Sequence, residues 1–387
     1  MKSAQRPFFI LIALVGGLAI FSSTLSKTPV LPLFALSLNA TPAEIGWIVM
    51  ASTIPGILIS YPAGALSDYL GKRRLLLASL VVFATAPFLY LVIETAWQLM
   101  AVRFYHGFAT AIFGTVASAA IAERYTADRA ARLSTYSSVT IVGRSVAPFL
   151  GGTLISLASF DAVYIACAMS GVLALAVGLL LHNDSPLPST KTLALPNFWS
   201  SLRTVLRDRG IMLVSLVEAA QYLVFGAIEA FLALYASSLG IPAWQIGIIL
   251  GVQLLSIVFA KPLMGRVSDR VGRRRVILPG LLIGAASVVL LPHFPSFIGL
   301  SVLSLVFGLG FATVTSSTSA LVADLTKGGR YGSSMGVLRT VMDVGQSIGP
   351  VLTGFVVGIA GYASAFTLLA AILVAAALML GLLLRDA

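Results

Sequence analysis

The chain has 387 residues, of which 58% are hydrophobic and only 10% charged, against roughly 45–50% and 25% in soluble domains. That balance excludes an ordinary soluble globular protein. Its 25 Lys and Arg against 14 Asp and Glu give a net charge of +11; so apolar a background does not suit a nucleic-acid binder, and the charge must be explained by where it sits.

A helix needs about 20 apolar residues to cross some 30 Å of hydrocarbon, which gives this length room for about 11 to 13 crossings with short loops. Apolar runs broken by charge, proline or polar clusters predict twelve spans, at 8–37, 42–68, 74–93, 96–122, 132–158, 161–182, 208–238, 242–268, 274–292, 295–323, 332–359 and 361–384. The first follows Lys2 and Arg6 as a signal peptide would, but it is longer than a signal core and many similar runs follow, so it is read as an uncleaved helix. The segment 184–207, with Pro186, Pro188 and Pro196, is the expected linker between six-helix halves at 1–183 and 208–387.

The basic residues orient these spans. With both termini cytoplasmic, the inner segments hold Lys2 and Arg6; Lys72, Arg73 and Arg74; Arg124, Arg129 and Arg132; Lys191, Arg203, Arg207 and Arg209; Arg266, Arg270, Arg273, Arg274 and Arg275; Lys327 and Arg330; and Arg385. The remaining five, Lys27, Arg103, Arg144, Lys261 and Arg339, fall inside spans, and no outer loop carries a Lys or Arg. This is a positive-inside pattern, and it accounts for most of the excess charge.

The halves repeat at an offset of about 201: Gly46 maps to Gly247, Asp68 to Asp269, Gly71 to Gly272, Glu123 to Asp324 and Arg129 to Arg330, with Pro148 and Pro350 one residue out of step. Six spans per repeat make the two halves run in the same direction through the membrane, a transporter architecture with its site between them. After the second span the chain reads Gly64-Ala-Leu-Ser-Asp68-Tyr-Leu-Gly71-Lys72-Arg73-Arg74, and after the eighth Gly265-Arg-Val-Ser-Asp269-Arg-Val-Gly272-Arg273-Arg274-Arg275. Glycine permits close helix approach. The Asp sits at a helix C-terminus, where the dipole does not favour it, so it needs outside partners. The fourth span holds Arg103-Phe-Tyr-His106-Gly107. The fifth holds Gly143-Arg144-Ser-Val-Ala147-Pro148-Phe-Leu-Gly151-Gly152, and the eleventh Gly345-Gln-Ser-Ile-Gly349-Pro350-Val-Leu-Thr-Gly354.

The doubled G-x-x-x-D-x-x-G-[KR]-[KR] loop, with twelve spans, resembles the signature of the major facilitator superfamily along the whole chain. That resemblance implies an all-α membrane protein of twelve transmembrane helices, in two six-helix bundles related by a pseudo-twofold. It implies a cytoplasmic gate made by Asp68, Lys72 and Glu123, repeated at Asp269 and Arg273. Arg103 resembles an arginine that the family associates with proton coupling, although His106 stands where Gln is common; a helix-to-helix structural bond is the other reading. Gly143, Pro148, Gly151 and Gly152, with Ala147 replacing one glycine, resemble the packing element of the superfamily's drug/proton antiporters, as do Gly349 and Pro350.

Three acids lie well within spans: Glu218 and Glu229 in the seventh and Asp343 in the eleventh. Intramembrane acids are functional candidates by default, because a buried carboxyl can load and release a proton. Glu218, Tyr222, Phe225 and Glu229 share one helical face by their spacing. Glu229 ranks first as proton carrier or cation-recognition group, with a wet rim position as the bland reading; Glu218 is a second carrier or a structural acid. Arg339 and Asp343, four apart, can pair on one helix. Lys27 either lines a cavity or snorkels outward. A site using Lys27, Arg144 and Arg339 prefers an anionic or zwitterionic substrate, whereas one centred on Glu218, Tyr222 and Glu229 suits lipophilic cations.

No phosphate loop, zinc motif or Cys/His cluster occurs, and Cys167 is the single cysteine. The expectation is a monomeric, non-enzymatic secondary transporter of the inner membrane, without cofactor or nucleic-acid partner. Its partners would be the bilayer, protons and a small-molecule substrate, a drug or metabolite that it exports. The alternative is a proton-coupled importer of a sugar, organic acid or other nutrient. A receptor or scaffold, and a membrane enzyme, are remoter.

Overall fold

The computed structural model describes residues 2–126, 128–181, 207–326 and 331–383. Among these every regular element is helical: α1 (Lys2–Leu25), α2 (Val30–Ser37), α3 (Pro42–Ala51), α4 (Ile54–Leu70), α5 (Lys72–Leu89), α6 (Ala96–Arg124), α7 (Arg129–Leu157), α8 (Phe160–Leu179), α9 (Arg209–Ser238), α10 (Ala243–Val271), α11 (Arg273–Leu290), α12 (Phe297–Leu325) and α13 (Tyr331–Leu383). The expected linker 184–207 falls outside the described residues except for Arg207, as do Lys191, Arg203, Lys327, Arg330 and Arg385.

Eleven helical stretches are long and apolar enough to cross a membrane, of which the last, Ser334–Leu383, has 50 residues. At 1.5 Å per residue it would be about 75 Å long, more than twice the hydrocarbon thickness. It is interrupted at Gly361, where φ is 77°, between the expected eleventh and twelfth spans. Divided there, the described residues hold twelve apolar helical stretches, with ends within a few residues of those read from the apolar runs.

Two expected spans are not continuous helices. The first breaks between Leu25 and Val30, and the second between Ala51 and Ile54. Pro29 and Pro55 stand at these breaks, and each lacks the backbone N–H that would continue the ladder. Local hydrogen bonds take over there: Thr28 N donates to Thr24 O at 3.0 Å and Thr53 N to Met50 O at 2.8 Å.

The chain falls into two compact units, Met1–Ala40 with Ile48–Thr192, and Thr41–Trp47 with Leu193–Ala387. Six residues of the second span, Pro42–Trp47, thus group with the second half. There Gly46 lies against Pro350, its added Cβ 2.6 Å from that carbonyl, and Gly354 lies against Pro42.

Within each unit the repeat is structural. Shifted by 201, α5 becomes α11 and α6 becomes α12, residue for residue. Thr95 and Ser296 cap the equivalent helices, accepting from Gln98 N and Gly299 N. Gly71 and Gly272 turn the chain in a single residue between helices, with φ of 90° and 105°; a side chain there would be strained. This is the physical demand behind the second glycine of the doubled loop.

Candidate functional site

The basic run after each of these glycines does the same two jobs. In the first unit Lys72 Nζ lies 2.8 Å from Glu123 Oε2 at the end of α6. In the second, Arg273 Nε lies 3.0 Å from Asp324 Oδ2 at the end of α12, and its Nη1 also contacts Asp269. The following arginine reaches the last helix of its half. Arg73 donates from Nε to Leu181 O at 2.5 Å and from Nη2 to Leu179 O at 3.0 Å, and Arg274 Nη2 donates to Gly381 O at 2.5 Å. Final carbonyls of a helix have no partner within the helix, and a cation there also complements the dipole. The arginines therefore tie helices together. Lys72, Glu123, Asp269 and Arg273 are brought together within their halves as the sequence suggested; the Asp68 side chain lies outside the described positions.

The small residues of the fifth and eleventh spans make close crossings. An added Cβ on Gly143 would sit 3.0 Å from Gly17 O of α1, and one on Gly151 3.0 Å from Val30. Gly152 is buried, and Pro148 lies inside α7. In α13, Gly345 and Gly349 press on the carbonyls of Ala219 and Leu223 of α9, with Pro350 inside the same helix.

The second unit holds the buried acids. Glu218 is 3% exposed and accepts a 2.5 Å hydrogen bond from Thr318 Oγ1 of α12. Among the described residues it makes no ion pair. Seven residues along α9, Phe225 packs 4.5 Å from Phe311, seven residues back along α12, and Tyr222 packs 5.0 Å from the same ring. The two helices thus run antiparallel, sharing an acid–hydroxyl pair and an aromatic cluster two turns apart. Glu229 is 6% exposed, which makes it an interior residue and not a wet rim. Beyond it Tyr235 packs against Tyr362 and Phe366.

Other predicted residues stand apart. Asp343 is half-buried and Arg339 exposed. Arg339 acts on Asp343 through its field but forms no ion pair with it; an i,i+4 pair with the cation nearer the N-terminus has the less favourable orientation. Arg144 is exposed, and Lys27 is half-buried in the turn between α1 and α2.

In the first unit Arg103 is 4% exposed. It donates to Ser52 Oγ at 2.9 Å and to Tyr90 Oη at 3.3 Å, and Tyr90 Oη lies 3.2 Å from His106 Nδ1. Tyr90 stacks on Tyr164 with ring centroids 4.4 Å apart. Ser52, Tyr90, Tyr164, Thr318 and Phe311 escaped the sequence reading because uncharged side chains in an apolar run give no signal of their own. The 201 offset, applied to every polar residue, would have flagged Ser52 against Gln253.

The family description "Major Facilitator Superfamily" matches residues 11–252 and 214–387. The chain is 24% identical over 341 residues to an uncharacterized MFS-type transporter of Methanocaldococcus jannaschii, covering 87% of this chain and 88% of that one. It is 24% identical over 366 residues to the multi-drug resistance efflux pump PmrA of Streptococcus pneumoniae, covering 92% and 90%. The crystal structure of the nucleoside transporter NupG (D323A mutant) superposes with a TM-score of 0.83 at 14% identity, covering 97% of this chain and all of that one; at that identity the likeness concerns the fold. This multi-pass membrane chain belongs to the Major Facilitator Superfamily of transporters.

Proposed function

We propose that this chain is a proton-coupled antiporter that exports a small amphipathic molecule across the cytoplasmic membrane by alternating access. Glu218 carries the reading. It is an acid 3% exposed, held by one hydroxyl and, among the described residues, by no cation. A bare carboxylate is costly in a membrane interior, and a proton removes the cost without needing a fixed partner. Along the same pair of helices the half-buried Tyr222, packed on Phe225 and Phe311, offers an aromatic ring that suits a flat apolar body.

In this scheme a proton arriving from outside neutralises Glu218 and weakens its hold on a bound cationic or polar group, which leaves outward. Deprotonation toward the cytoplasm resets the acid. Glu229 and Asp343 are further carriers and Tyr222 contacts the substrate; Lys27, Arg144 and Arg339 would line the site only for an anionic or zwitterionic substrate. The ties among Lys72, Glu123, Asp269 and Arg273, with Asp68, hold the cytoplasmic ends and exchange during the cycle, both termini being cytoplasmic. Export is supported by the likeness to PmrA, an efflux pump, and by the small-residue element around Pro148. Among the described residues Arg103 has hydroxyl partners and no acid, so the proton step is assigned to the carboxyls.

The test is dye flux in proteoliposomes under an imposed pH gradient, with a panel of lipophilic fluorescent dyes. Gradient-driven flux is expected in the unaltered chain and its loss in Glu218→Gln. Flux indifferent to the gradient sinks proton coupling, and accumulation in the opposite direction favours import.

A further inference from the structure

The cluster around Arg103 contains more donors than it can use. The guanidinium Nε has no hydrogen-bond partner, nor does His106 Nε2 or Tyr164 Oη. Tyr90 Oη accepts from Arg103, so its one proton is the one available to His106 Nδ1. That places the proton of a neutral His106 on Nε2, leaving Nε2–H unpaired. Three buried donors are thus unmet in a network joined by the Arg103–Tyr90 and Tyr90–His106 bonds and the Tyr90–Tyr164 stack. The cation at its centre has no carboxylate within ion-pair distance among the described residues. Buried charge without a counter-charge is expensive.

The second half shows that this cation is not required for packing. Gly107 lets α6 close on the Ser52 carbonyl, its added Cβ 2.5 Å away, and Gly308 lets α12 close on the Gln253 carbonyl, its added Cβ 2.6 Å away. These are the same crossing at the 201 offset. Where the first half has Arg103, Tyr90 and His106, the second has Ser304, Leu291 and Phe307. The crossing forms there without charge, so a role as helix-to-helix fastener does not account for Arg103.

We propose that Arg103, with Ser52, Tyr90, His106 and Tyr164, forms a binding site for a monovalent anion within the first unit. The missing components are one negative charge and a set of acceptors, which a carboxylate or a halide supplies together; water supplies acceptors and leaves the charge unbalanced. Guanidinium pairs carboxylate with two parallel hydrogen bonds. Two sources share this chemistry, the carboxylate of an organic solute and inorganic chloride. The site stands independently of the proton step at Glu218.

Equilibrium dialysis of the purified full chain with radiolabelled chloride, and separately with radiolabelled benzoate, tests the proposal. Saturable binding of one anion per chain is expected for at least one probe, and which one binds identifies the source. Arg103→Gln removes the charge and should weaken binding at least about tenfold, as charge-assisted bonds imply. Removing an unbalanced charge should leave folding intact, checked by circular dichroism and monodisperse elution. Tyr164→Phe, a single-atom change, should weaken binding about fivefold by losing one neutral donor. No saturable binding of either probe overturns the proposal, and so does binding that Arg103→Gln and Tyr164→Phe both leave unchanged.

Discussion

The two halves are built on one pattern and diverge at prolines and charges. α9 and α10 are continuous, whereas their counterparts in the first half are broken at Pro29 and Pro55. Residues 230 and 256, at the equivalent places, are Ala and Ser. Breaking the second span exposes Ser52 as a side-chain partner for Arg103; the continuous α10 leaves Gln253 Oε1 unmet instead. The first half buries a cation among hydroxyls and rings, and the second buries acids. One helical scaffold has thus been given opposite charge by a handful of substitutions, while the basic clamps at the helix ends stayed alike.

The charge contrast makes the largest prediction. Glu218→Gln keeps the shape and the bond with Thr318, and it should lower pH-driven dye flux by about a hundredfold or more, the scale on which proton-transfer groups act. Binding of anions in the first unit should be untouched. If both fall together, the halves do not divide the work by charge.

Packing comes next. Gly143 and Gly345 occupy equivalent places, as do Ala147 and Gly349, at an offset of 202. The first-half crossing already tolerates the Ala147 methyl and leaves 3.0 Å between an added Cβ on Gly143 and Gly17 O. In the second half both glycines press on α9 carbonyls. Gly349→Ala should therefore destabilise by about 1–3 kcal/mol, the usual cost of overpacking, and Gly143→Ala by well under half of that. Thermal unfolding in one detergent measures both; equal shifts would mean that the crossings are equally tight.

A smaller effect is expected at the helix ends. Arg73 holds two carbonyls near the end of α8. Arg73→Ala should cost about 1–2 kcal/mol, the net worth of bonds from a charged donor at a partly exposed site, read as a lower midpoint of thermal unfolding. Arg73→Lys should recover little, since a point charge does not replace a planar fork.

These comparisons also show what the sequence made legible. The apolar crossings and the basic runs at the helix ends follow from composition and periodicity, because hydrocarbon thickness and the cost of charge are strong, uniform constraints. The Lys72–Glu123 and Arg273–Asp324 ties could be read from the repeat alone, since a charge that recurs at a helix end needs a partner at another. The breaks at residues 26–29 and 52–53 are not legible in the apolar runs, because a proline such as Pro29 or Pro55 in a membrane helix either kinks it or ends it and only packing decides. Sequence alone ranks Glu229 ahead of Glu218. The Thr318 bond that now favours Glu218 spans 100 residues of chain and leaves no local pattern.

The smallest prediction separates the clamps themselves. Arg273 reaches two acids, Asp324 and Asp269, with one planar group, and Lys72 faces Glu123 with an ammonium. A guanidinium can serve two carboxylates from separate nitrogens, whereas an ammonium presents a single compact centre. Arg273→Lys should thus lose about 0.5–1 kcal/mol, the range of a partly exposed pair, while Lys72→Arg should be neutral or slightly stabilising. The acids are more than half exposed, so the difference should shrink in 1 M salt, where the screening length falls to about 3 Å. Thermal unfolding at low and high salt gives the comparison directly. A penalty for Arg273→Lys that salt leaves unchanged would mean that the guanidinium works there through packing and geometry, and the two clamps would then differ in kind as well as in strength.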